Sequence, residues 1–138
     1  MKRIFPIYPE TSGSHVSQKR INKLKKKAIE IITKNERSIH VAFRKLQSRH
    51  SKPITMDLKL EVAVHKIKNA VVCPGSDEDW GFSDEEKIWI STIKMNDTFL
   101  LGILLHESLH YCCTFNGKDI CSKDEHYVMR LLGEKCEK

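Results

Sequence analysis

The sequence predicts a single α+β domain, and three observations lead there. Two basic stretches, residues 17–34 and 37–48, repeat apolar side chains at helical spacing. Residues 54–64 alternate apolar and polar residues with a period of two, the pattern of a half-buried strand. Phe99 to Leu105 is a nearly unbroken apolar run that leads directly into His106-Glu107-Ser108-Leu109-His110, and a helix apolar on all sides is a buried one. At 138 residues the chain is long enough for one domain with a modest core.

In chain order, residues 1–16 read as a flexible N-terminal arm, because Pro6, Pro9, Thr11, Ser12, Gly13 and Ser14 break any periodicity, and the domain proper spans 17–138. Ser17 caps a first helix that carries Ile21, Leu24, Ala28 and Ile31/Ile32 on one side and lysines on the other. A second helix, about Arg37 to Ser48, presents Ile39, Ala42/Phe43 and Leu46. Ser51-Lys52-Pro53 breaks it, and the alternation from Ile54 to Val64 predicts one long strand or two short ones, with a further strand within 66–72. Cys73-Pro74-Gly75-Ser76 is a turn, and Asp77 to Glu86 is an acidic loop carrying Trp80 and Phe82. Lys87 to Thr92 predicts another strand, so the small mixed sheet is expected to consist of 54–72 and 87–92. Asn96, Asp97 and Thr98 supply cap residues for the apolar helix. After an Asn116-Gly117-Lys118-Asp119 turn, Ser122-Lys123-Asp124-Glu125 matches a capping box and opens a C-terminal helix.

Composition narrows the class. The longest apolar run falls far short of the roughly 20 residues a bilayer span needs. The N-terminus is basic but lacks a following apolar segment, so neither a signal peptide nor a membrane partner is expected, and the location is intracellular, cytoplasm or nucleus. Five cysteines, an odd number without a C-x-x-C pair, fit reduced thiols. Residues 1–70 hold 17 Lys and Arg against 5 Asp and Glu, whereas residues 71–138 hold 7 against 13. That asymmetry suits either a nucleic-acid surface or a solvated basic helix face; the absence of aromatic residues interleaved with the lysines favours the solvated face.

The chemistry lies in His106-Glu107-x-x-His110. Two imidazoles four residues apart on a helix face the same way and can hold one Zn2+ ion, with bonds of roughly 2.0–2.1 Å. Glu107, next to the first histidine, is placed to act as general base on the attacking water. Over about its last fifty residues the chain resembles the zincin metallopeptidases, which implies a zincin-like fold and peptide-bond hydrolysis of a peptide or protein substrate. The same resemblance implies that Lys87–Thr92 is an edge strand able to bind an extended peptide.

A catalytic zinc takes three protein ligands and leaves one position open. The glycine and histidine a metzincin would place at 113 and 116 are Cys113 and Asn116 here. The last helix offers Glu125 or His126. Glu125 shares the stripe of Val128, Met129 and Leu132, which favours it as the third ligand and resembles the gluzincins. His126, sixteen positions after His110, resembles the third histidine of SprT-like proteases, though their nearby glycine is missing. His126 or Tyr127 is also a candidate hydrogen-bond donor to a developing oxyanion. The architecture and the Glu125-His126 pair resemble small H-E-x-x-H proteins of large DNA viruses. Three functions therefore compete: a zinc metallopeptidase, a SprT-like protease bound to nucleic acid through the basic N-terminal half, and a zinc-stabilised module without turnover.

Overall fold

A computed structural model describes residues 14–49, 55–73, 80–92, 94–120 and 122–137. It is a mixed α+β structure of five helices and three small sheets among those residues. Of the arm assigned to residues 1–16, residues 1–13 lie outside the described set. Ser14–His15 forms a short strand, β1, and Val16 is buried.

Helix α1, Gln18–Lys34, begins where Ser17 accepts a hydrogen bond from the Arg20 amide, and it buries Ile21, Ala28 and Ile32. Asn35 alone separates it from α2, Glu36–Gln47, which buries Ile39, Ala42, Phe43 and Leu46. Both helices lie where the apolar spacing puts them.

The next segment departs from expectation. Only Met56–Leu58, β2, is extended; Leu60–Lys68 is a helix, α3. The alternation from Ile54 to Val64 hides a second pattern, since Leu60, Ala63 and Ile67 also stand at i, i+3 and i+7. These three, with Lys66, form the buried face, and Val62 and Val64 are left half-buried. Within 66–72 only the end is strand, β3 at Val71–Cys73. The turn expected from Pro74 to Ser76 lies outside the described residues.

The sheet expected from 54–72 and 87–92 is two separate sheets. In one, β5 (Ile88–Ser91) lies between β3, parallel to it, and β4 (Gly81–Ser83), antiparallel. The segment Lys87–Thr92 is therefore the central strand of its sheet and not a free edge, because the acidic loop folds back as β4 and Phe82 stacks on Trp89. In the other, β2 pairs with β7 (Cys113–Phe115), which continues through the Asn116-Gly117 turn into β8 (Lys118–Asp119). Asn116 and Gly117 both take positive φ, 53° and 78°, as a type I′ hairpin turn requires. The third sheet pairs β1 with β6 (Lys94–Met95).

These layers surround α4, Asp97–Leu109. The Asn96 side chain accepts from the Phe99 amide at 2.8 Å, and Arg20 anchors the first turn by an ion pair to Asp97 at 2.8 Å and a bond to the Met95 carbonyl at 2.7 Å. Leu100, Leu104, Leu105 and Leu109 are buried, with α1, α3 and the β3-β5-β4 sheet packed around them. Strand β4 comes closest at Gly81, where a Cβ would meet the Trp89 carbonyl oxygen at 3.0 Å and Ile103 of α4 at 3.1 Å. Trp80 packs edge-on against Phe99. The last helix, α5 (Ser122–Glu137), lies against α2 and buries Val128, Met129 and Leu132. No helix among the described residues is long and apolar enough to cross a membrane.

Because Leu104 is fully buried at the centre of these contacts, Leu104→Ala is expected to cost about 2–5 kcal/mol. Denaturant unfolding of the two chains measures the difference.

Candidate metal centre

The site forms at the C-terminal end of α4. His106 and Glu107 stand in its last turn, and the helix stops at Leu109. His110 is already extended, with φ −64° and ψ 139°, and Tyr111 turns the chain with a positive φ of 63°. The two imidazoles still face each other, with ring centroids 5.1 Å apart. From α5, His126 brings a third ring 5.3 Å from His106 and 5.3 Å from His110. One ring nitrogen from each of the three lies within 4.8 Å of the others. A tetrahedral zinc with bonds of roughly 2.0–2.1 Å would hold such nitrogens about 3.4 Å apart, so to share one ion the three would have to draw together.

The chemistry of the donors fits a metal. Burial, and after it the neighbouring His110 and His126, pulls His106 from its ordinary value down to about 4. Burial and His110 also lower His126, with Glu125 opposing them. Both rings are thus neutral near pH 7, and a neutral imidazole offers a nitrogen lone pair to a metal.

Glu125 lies where its helical phase puts it, with its carboxylate bonded to the chain and not directed at the three rings' common centre. It is 2% exposed, in the core-facing stripe, as the spacing implied. Its carboxylate is taken up there by the chain following α4: Oε2 pairs with His110 Nδ1, and Oε1 accepts from the Tyr111 amide at 2.8 Å. With Nδ1 as donor, His110 keeps Nε2 free for a metal, the carboxylate–histidine arrangement that orients a ligand from behind. The geometry thus brings His106, His110 and His126 together, with the Glu125 carboxylate paired to His110. His126 reaches the cluster because it stands one residue off the buried stripe and is exposed. Glu107 is nearly buried, at 9% exposure. Tyr127, the other oxyanion candidate, packs its ring under the Arg49 guanidinium at 4.1 Å, in the contact between α5 and the end of α2.

Two further residues belong to the site that the sequence did not single out. The ammonium of Lys66, on α3, donates to the His110 carbonyl at 2.7 Å and the Glu107 carbonyl at 3.2 Å. Its burial lowers its pKa, while Cys112, Glu107, Glu125 and Asp84 pull the other way. Lys66 sits among six other lysines and arginines between residues 44 and 68, and only its place on the apolar face of α3 marks it out. Tyr111 is 40% exposed, its ring 6.3 Å from that of His110. It lines two shallow cavities of about 260 and 290 Å³, both also bounded by Glu85. Among the described residues, neither Cys112 nor Cys113 joins the group of donors close enough to share one ion. Burial raises both the Cys112 and Cys113 thiols, and Cys112 donates to the Leu109 carbonyl.

Compared with family models, curated proteins and solved structures, the chain matches none.

If His126 is a ligand and Glu125 its support, the two substitutions separate. His126→Ala should abolish tight zinc uptake, and Glu125→Gln should weaken it by about 10–100-fold. Competition against a chromophoric chelator measures both, and the reverse order would assign the ligand to Glu125.

Proposed function

We propose that the chain is a zinc-dependent peptidase of zincin type. The observation that carries this reading is the three-imidazole cluster with Glu107 directly following its first member on the buried helix. His106, His110 and His126 would hold the ion, leaving the fourth position for water or substrate. When bound, zinc supplies a Lewis acid that polarises the scissile carbonyl and acidifies its water. Glu107 takes the proton from the attacking water and passes it to the leaving amine. Glu125 fixes the His110 ring through Nδ1. An extended substrate suits β4 better than β5: β4 has one strand partner among the described residues and rests on α4 at Ile103, one turn before His106.

Glu107→Gln tests the reading. Cleavage of an unfolded protein substrate should fall by about 10²–10⁴-fold, with zinc content and melting temperature unchanged. A wild-type chain that binds zinc yet cleaves none of a broad peptide library would instead support a zinc-stabilised module without turnover.

A second reading, a SprT-like protease held on nucleic acid, draws on α1 and α2. Lys19, Lys23, Lys26 and Lys27 are exposed along one face of α1, and Arg37, Arg44 and Lys45 are exposed on α2. Binding to a short DNA duplex should then weaken steeply with salt, as neutralised phosphates release counterions. Titration at 50 and 200 mM salt checks it, and absent or salt-insensitive binding removes this reading.

A further inference from the structure

Helix α4 ends in a way that asks for explanation. The last carbonyls of a helix have no partner within it, and the usual remedy is a glycine in the left-handed region just past the end. Here the left-handed residue is Tyr111, whose bulky side chain disfavours that conformation. The carbonyls are met from outside by Lys66, a residue of another helix that is 0% exposed. Burying an ammonium is costly unless it is fully bonded, so the position has a demanding requirement for a cation with several donors. A cation at a helix C-terminus also complements the helix dipole.

The contacts converge on one residue. The carbonyl of His110 accepts from Lys66 at 2.7 Å, its ring Nδ1 pairs with Glu125, and the amide that follows it donates to Glu125 at 2.8 Å. Lys66 also holds the carbonyl of Glu107 at 3.2 Å. The same buried ammonium thus touches the backbone of a candidate ligand and of the candidate base. His110 is the C-cap of α4: its φ of −64° is still helical and its ψ of 139° turns the chain away, so its carbonyl takes a partner outside the helix. Two groups from outside α4 hold this residue, Lys66 at its carbonyl and Glu125 at its ring.

We propose that Lys66 is a positioning residue of the metal centre, which together with Glu125 clamps His110 in the orientation that completes the three-imidazole set. This rests on the metal centre proposed above but not on its proteolytic activity. Lys66 acts through the backbone of His110 and Glu107 and touches neither metal nor substrate.

The experiment loads the full chain and its Lys66→Met variant with Co2+ and with Zn2+. It records the visible absorption of the cobalt forms, the zinc affinity by chelator competition, and the melting of the metal-free proteins. A shifted cobalt spectrum with zinc affinity lowered by about 10–100-fold, in a variant that still folds, is the expected result. A folded variant with the wild-type spectrum and affinity overturns the proposal and leaves Lys66 as a helix cap. If Lys66→Met does not fold, Lys66→Gln, which keeps an N–H donor, is read in the same way. Failure of both to fold overturns it too, because Lys66 would then hold the fold and not the ligand. A wild-type chain that takes up neither metal overturns the metal-centre reading itself, a result distinct from equal uptake by wild type and variant.

Discussion

A helix that is apolar on every side cannot rest at a surface, and α4 sets that constraint for the whole chain. Helices α1 and α3 and the β3-β5-β4 sheet cover its flanks, and Arg20 and Asn96 secure its start. The same constraint creates the site. An apolar helix that carries His106 and Glu107 in its last turn brings polar groups into a region from which water is largely removed. Each must then be satisfied by protein or by a bound ion. The groups that answer come from elements far apart in sequence, Lys66 from α3 and Glu125 and His126 from α5.

Two of those groups are buried and one is exposed, and in the proposed metal centre this division would separate support from ligand. Lys66 and Glu125 are buried and spend their hydrogen bonds on the ring of His110 and on the backbone of Glu107, His110 and Tyr111. His126 is exposed and brings only a ring to the cluster. A catalytic ion must be reachable by substrate, so its ligands line an opening, while the residues that orient them lie behind. The cavities beside Tyr111 are shallow.

Much of the helical framework was legible because long amphipathic or wholly apolar segments repeat their signal many times. Ser17 and Asn96 cap α1 and α4 as their residue types suggest. The sheets were less legible, for two reasons. The stretch from Leu60 to Val64 satisfies a period of two and, extended to Ile67, a helical period as well; burial of Leu60, Ala63 and Ile67 against α1 and α4 decides for the helix. Strands of two to four residues carry almost no periodic signal, and their partners are set by tertiary packing. That is how β2 comes to pair with β7, more than fifty residues on.

The site shows the same boundary between local and distant information. His106-Glu107-x-x-His110 is local and was visible at once, though not that His110 would lie just beyond the helix. Helical phase put Glu125 on the buried stripe, and the structure has it there. A side chain in line with Val128, Met129 and Leu132 points at the core, and there it meets the back of His110. The residue one step away, 100° round the helix, meets the front. Under the proposed zinc site, the residue at the edge of the apolar stripe would be the ligand, and the polar residue within the stripe would be its support.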